Sequence, residues 1–78
     1  MITAKIAYLG ELRTKATHLQ SGNEIITDAP TDNHGKGEAF SPTDLVATAL
    51  GACMISIMAI KLLGTDKDIK GATIESTK

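Results

Sequence analysis

A chain of 78 residues with a formal net charge of −1 makes one small domain at most, short of the length that buries a large core. The single cysteine, Cys53, excludes a disulfide within the chain, and no CxxC pair or Cys/His cluster suggests a metal site. Basic residues are scattered and the aromatics are limited to Tyr8 and Phe40, so neither a charged stripe nor a stacking platform for nucleic acid is present. The N-terminus lacks the basic and apolar regions of a secretion signal, and a lone thiol suits the reducing cytoplasm.

Ile2, Ala4, Ile6 and Tyr8 alternate with Thr3, Lys5 and Ala7, the period of a half-buried strand. Gly10-Glu11 reads as a turn, and residues 12–20 as a second, Thr-rich strand. Ser21-Gly22-Asn23 is the next turn signal, and residues 24–28 around Ile25-Ile26-Thr27 form a short third strand. Short turns imply antiparallel neighbours, hence a three-stranded meander. Residues 29–40 are a polar loop punctuated by Pro30, Gly35 and Gly37, too long for a hairpin turn. Gly35-Lys36-Gly37 lacks the spacing of a phosphate-binding loop, and no Ser or Thr follows the lysine.

Ser41 is placed to cap a helix, Pro42 suits its first position, and Asp44 sets a carboxylate against the positive dipole end. Gly64 marks the expected end, with Lys61 in the last turn. Between them apolar residues such as Val46, Leu50, Met54, Ile57 and Ile60 cover every face, so the helix over 41–64 is buried either in protein or in lipid. A membrane span needs about 20 apolar residues. Residues 45–60 fall short, contain Thr48 and Ser56, and have no aromatic anchors, so the reading is burial in protein.

Beyond the helix, residues 65–70 form a charged loop. Ala72, Ile74 and Ser76 then alternate with Thr73, Glu75 and Thr77 as the start of another strand. The expected fold class is α+β: a three-stranded antiparallel meander, a long buried central helix and the start of a further strand. Three short strands cover one side of such a helix. The other side must come from a partner chain or from further sequence, which predicts an intertwined oligomer, a partial domain, or both.

Cys53 has two readings. A free cysteine in an apolar helix is commonly a small buried hydrophobe; it is a nucleophile where a cation stands near it and solvent reaches it. It lies about three turns into the helix, beyond the reach of the N-terminal dipole. Arg13, the sole arginine, is either a solvated strand residue or a fixed guanidinium that stabilises a thiolate and binds an oxygen-rich substrate. Asp44 is most simply a capping carboxylate and Glu38 a solvated loop residue. His18 and His34 have no partners at ligand spacing and read as surface residues.

The run Gly35-Lys36-Gly37-Glu38-Ala39-Phe40-Ser41-Pro42-Thr43-Asp44-Leu45-Val46-Ala47-Thr48-Ala49-Leu50-Gly51-Ala52-Cys53-Met54 closely resembles the signature of the OsmC/Ohr family. That signature has a Gly-rich loop, Ser/Asn-Pro, two polar residues, Leu, and a small-residue helix ending in Ala/Gly-Cys. Tyr8-Leu9-Gly10-Glu11-Leu12-Arg13 and residues 19–30 are similar to the family's opening strands, so the likeness covers nearly the whole chain.

The resemblance implies a thiol-dependent peroxidase that reduces organic hydroperoxides or hydrogen peroxide as an intertwined homodimer, with no metal, haem or other cofactor. It implies that Cys53 is the peroxidatic thiolate, which becomes a sulfenic acid, and that Arg13 activates it. Two departures accompany the likeness. The best-studied branches carry a glutamate directly after the proline, where this chain has Thr43. Asp44 and Glu38 are the nearby carboxylates, though neither sits at the motif position. The family's resolving cysteine lies in a later helix, so residues 1–78 correspond to the N-terminal half of one domain and an external thiol must act as reductant.

Two other readings stand beside this one. One is a non-catalytic module of the same fold that holds a small hydrophobic ligand or serves in oligomer assembly; the other is a structural helix with an incidental cysteine. The peroxidase reading predicts that Cys53 reacts with a thiol reagent in the native protein. A thiol that titrates only after denaturation supports the structural helix instead.

Overall fold

The computed structural model describes residues 1–78 throughout. The chain forms two compact units, Met1–Thr43 and Asp44–Lys78. The architecture is α+β, with three antiparallel strands followed by one helix.

In the first unit, β1 (Ala4–Gly10), β2 (Arg13–His18) and β3 (Glu24–Asp28) lie in the order β1-β2-β3. The third strand has the expected bounds. The first turn differs in detail from expectation: Gly10 pairs with Arg13, and Glu11 and Leu12 make the tight connection with φ of 54° and 63°. Positive φ at both central residues matches the right-handed twist of a hairpin, but it strains side chains with a Cβ. Tertiary contacts hold the turn in place. The Leu12 N–H donates to the Tyr8 hydroxyl at 3.2 Å, the Leu12 carbonyl accepts the Ala29 N–H at 3.1 Å, and Glu11 pairs with Lys36 at 2.6 Å.

The second strand stops at His18 rather than residue 20. The loop there closes through His18 N–H to Asn23 O at 2.8 Å and Gly22 N–H to His18 O at 2.7 Å, which removes Gln20 from the ladder. Register places Thr14 opposite Thr27, with their hydroxyls hydrogen-bonded, and Arg13 opposite Asp28. Residues 29–41 then fold back on the sheet. Pro30 O accepts the N–H groups of Asn33 and Gly35, both at 2.9 Å, and Phe40 O accepts the Asp28 N–H at 3.0 Å. Only glycine fits at position 35, because a Cβ there would lie 1.6 Å from the Ala29 carbonyl oxygen.

The helix α1 spans Pro42–Lys61, with Asp44 in its first turn and Lys61 in its last. Residues 62–64 tighten into turns through Leu62 N–H to Ala59 O and Leu63 N–H to Ile60 O, so the helix ends earlier than residue 64. Gly64 adopts φ 80°, the left-handed conformation that follows a helix end.

Two expectations about this unit are corrected. The helix is not a buried core helix: Gly51 is its one buried residue, and Val46, Leu50, Met54 and Ile57 are each more than half exposed. No hydrophobic side chain in the chain is buried. A helix apolar on all sides needs cover on all sides, and within its own unit only the tail approaches it. There Ser76 and Ile74 lie so close to Gly51 that a Cβ would meet Ser76 Oγ at 2.7 Å. The second correction concerns that tail, which forms no strand because no ladder partner is present. By length and composition α1 also reaches what a membrane span needs, with a mean hydropathy of 1.8. Core helices of soluble proteins meet the same criterion.

What is buried in the first unit is polar: Thr27, Asp28 and Ser41. Asp28, 1% exposed, is stable as a carboxylate because Arg13 supplies two hydrogen bonds and a charge. The hydrogen bond from Arg13 holds the Asp28 carboxyl below its usual range and outweighs burial, which acts the other way; the Arg13 charge and the Glu38 N–H add to the lowering. A carboxyl lowered in the folded state contributes stability above its unfolded value, about 3.9, and loses it as pH falls through the folded value. Thermal unfolding followed by circular dichroism should therefore show a midpoint that is flat near neutrality and drops by several degrees below about pH 4. Asp28→Asn should flatten that acid limb.

Candidate functional site

Arg13 opens β2 directly opposite Asp28, which closes β3, so both side chains leave the same face of the sheet. The guanidinium meets the carboxylate with two roughly parallel bonds, Nε to Oδ1 at 2.6 Å and Nη2 to Oδ2 at 2.8 Å. Nη2 also donates to Glu38 Oε1 at 3.0 Å, and the Glu38 backbone N–H donates to Asp28 Oδ2 at 3.2 Å. Three of the five guanidinium N–H donors are used in this way. The two on Nη1 have no partner within the chain. Arg13 itself is about one-third exposed, so the open edge belongs to a guanidinium whose opposite edge is sealed.

The electrostatics reinforce this arrangement. The hydrogen bond to Asp28, opposed by partial desolvation and aided by the charges of Asp28 and Glu38, raises the guanidinium's hold on its proton. Nearby, the Glu11 carboxyl is lowered chiefly by its hydrogen bond from Lys36, whose ammonium is correspondingly raised. Both of those partners are well exposed and salt screens them more.

Cys53 lies in the middle of α1 and is exposed, which corrects its placement in the protein core. Arg13 and Cys53 fall in different compact units. Asp44, read as a capping carboxylate, lies in the first helical turn and pairs with Lys78 at 2.7 Å. Thr43 Oγ1 is hydrogen-bonded to Ser41 Oγ at 3.1 Å. Glu38 is not simply a solvated loop residue, since it binds Arg13. His18 Nδ1 is hydrogen-bonded to Ser21 Oγ at 2.6 Å in the second hairpin loop, and His34 sits in the left-handed region after the short 3-10 turn Thr31–Asn33. No group of three or more His, Cys, Asp or Glu is placed to hold a metal ion.

The residue that sequence reasoning missed is Asp28, taken only as the end of a strand. A signal existed. Aspartate is depleted in strands, and a two-residue turn after Gly10 with a ladder to Glu24 brings the sole arginine opposite it.

No family model matches this chain, and no curated protein does. Among solved structures it is similar to a crystal structure from Psychrobacter arcticus 273-4 that carries the provisional name osmotic stress induced and detoxification response protein. The two are 63% identical with a TM-score of 0.92, over 96% of this chain and 55% of that one. This chain thus spans little more than half the length of that relative, and it shares its fold there.

Proposed function

We propose that this chain is the cysteine-bearing part of an OsmC-type hydroperoxide reductase serving cytoplasmic oxidative-stress defence. The observation that carries the reading is Arg13, a lone arginine sealed on one edge and open on the other, in a chain whose one thiol is exposed. Similarity to a relative named for stress and detoxification supports the same direction.

In this reading the Cys53 thiolate attacks one peroxide oxygen. An S–O bond forms and the O–O bond breaks; sulfur is oxidised to a sulfenic acid while the departing alkoxide takes a proton and leaves as the alcohol. The role proposed for Arg13 is that of the cation that stabilises the thiolate and then the developing alkoxide, as a cation does for charge that appears in a transition state. An external thiol then condenses with the sulfenic acid to release water, and a second thiol frees Cys53 as the mixed disulfide is exchanged. A homodimer supplies the cover that the apolar faces of α1 lack. No metal or organic cofactor enters these steps.

One observation favours a second reading, a module that binds a small hydrophobic ligand. A groove of about 360 Å³ runs along the second unit between α1 and the tail, lined by Thr48, Gly51, Ala52, Ile55 and Ile74.

The two readings separate at Cys53. The peroxidase reading predicts that the protein consumes about one equivalent of cumene hydroperoxide per chain without added thiol and that dimedone then labels Cys53. Cys53→Ser should abolish both. Undiminished consumption in Cys53→Ser contradicts the reading, and an inert thiol with ligand binding unaffected by Cys53→Ser supports the module.

A further inference from the structure

We infer that residues 29–36 are a salt-sensitive clasp on the β1–β2 turn: the loop holds Glu11 and Leu12 in a left-handed conformation that their own chemistry disfavours, and raised ionic strength loosens the hold. The inference concerns the first unit alone and stands whether or not Cys53 reduces peroxides.

Gly10, Glu11 and Leu12 are three successive residues at positive φ, 88°, 54° and 63°. A two-residue hairpin turn of this hand favours Asn or Asp followed by Gly, because a Cβ crowds the backbone when φ is positive. Gly10 escapes that cost, but it lies outside the two central positions. A Glu-Leu turn with nothing to hold it would leave the left-handed region.

The opposing force comes from one loop that grips each central residue. Ala29 donates its N–H to the Leu12 carbonyl at 3.1 Å, and the Lys36 ammonium meets the Glu11 carboxylate at 2.6 Å. These contacts come from opposite ends of the loop, and its own bonds draw them together. Pro30 O accepts the N–H groups of Asn33 and Gly35, and Gly35 lies so close to the Ala29 carbonyl that no Cβ fits. Ala29 and Lys36 therefore meet the turn as one preformed grip.

The two contacts differ in what weakens them. The backbone bond is uncharged. The ion pair joins a Glu11 side chain 75% exposed to a Lys36 side chain 49% exposed, so mobile ions screen it. Strain that salt does not change is balanced by an attraction that salt reduces, and ionic strength shifts the population toward the open clasp. Opening frees the Ala29 N–H and lets the turn relax.

Native-state hydrogen exchange at the Ala29 amide reads this balance. Raising NaCl from about 50 mM to about 500 mM should speed Ala29 exchange, corrected for its intrinsic rate, roughly twofold to fivefold, the range of an exposed ion pair. Lys36→Met should exchange faster by a similar factor at low salt and lose the salt response. Leu12→Gly, which relieves the strain, should restore slow exchange in the Lys36→Met background. Ala29 exchange that ignores salt overturns the inference, as does an equal salt response in Lys36→Met or a failure of Leu12→Gly to slow exchange. Equal acceleration of the β2 and β3 ladder amides overturns it too, since that marks unfolding of the whole unit. The salt titration uses the unaltered chain, so it decides even where a variant fails to fold.

Discussion

The ion pair between Arg13 and Asp28 is the interaction on which the first unit is organised. A carboxylate almost without solvent contact costs free energy unless it is paired and hydrogen-bonded. Its partner is the one residue type whose planar fork matches it edge to edge. The pair forms only if β2 and β3 are in the observed register, and a one-residue slip would send the two side chains to opposite faces. The strained turn at Glu11 and Leu12 and the folded-back loop with Gly35 are pinned around the same pair. Strain next to a chemically competent group is common at functional sites.

The second unit poses the opposite problem. Its helix carries apolar side chains on every face, yet none is buried. Contiguous exposed apolar surface on this scale marks a surface that meets something else. At Gly51 the tail lies against α1, where the missing Cβ leaves room for the Ser76 and Ile74 side chains. The relative with the same fold is almost twice as long as the stretch this chain matches, and the homodimer proposed above would add a further covering layer.

Local features were legible in the sequence and partners were not. The Ile25-Ile26-Thr27 run of β3, the Ser41-Pro42 helix start and the charged loop after Gly64 are each written in residues that are adjacent or nearly so, so local propensity and turn chemistry sufficed. Asp28 was missed because its importance depends on register, a relation between residues far apart along the chain. The helix was placed in the core because an apolar stripe states only that cover is needed, not where the cover comes from. The strand expected at Ile74 failed for a related reason: alternation shows that a segment can pair, and pairing requires a neighbour. Cys53 stood between a core residue and a nucleophile on sequence alone; its exposure removes the first of these within the present chain.

The central claim is that Arg13 is held, and the chain makes that measurable because it contains one arginine. Its Nε–H gives a single resonance in a nitrogen-15 correlation spectrum, free of overlap from other guanidinium groups. A guanidinium locked onto a buried carboxylate should show a sharp Nε–H signal that exchanges slowly with water at neutral pH. A signal lost to rapid exchange under those conditions, as for free arginine, would contradict the account.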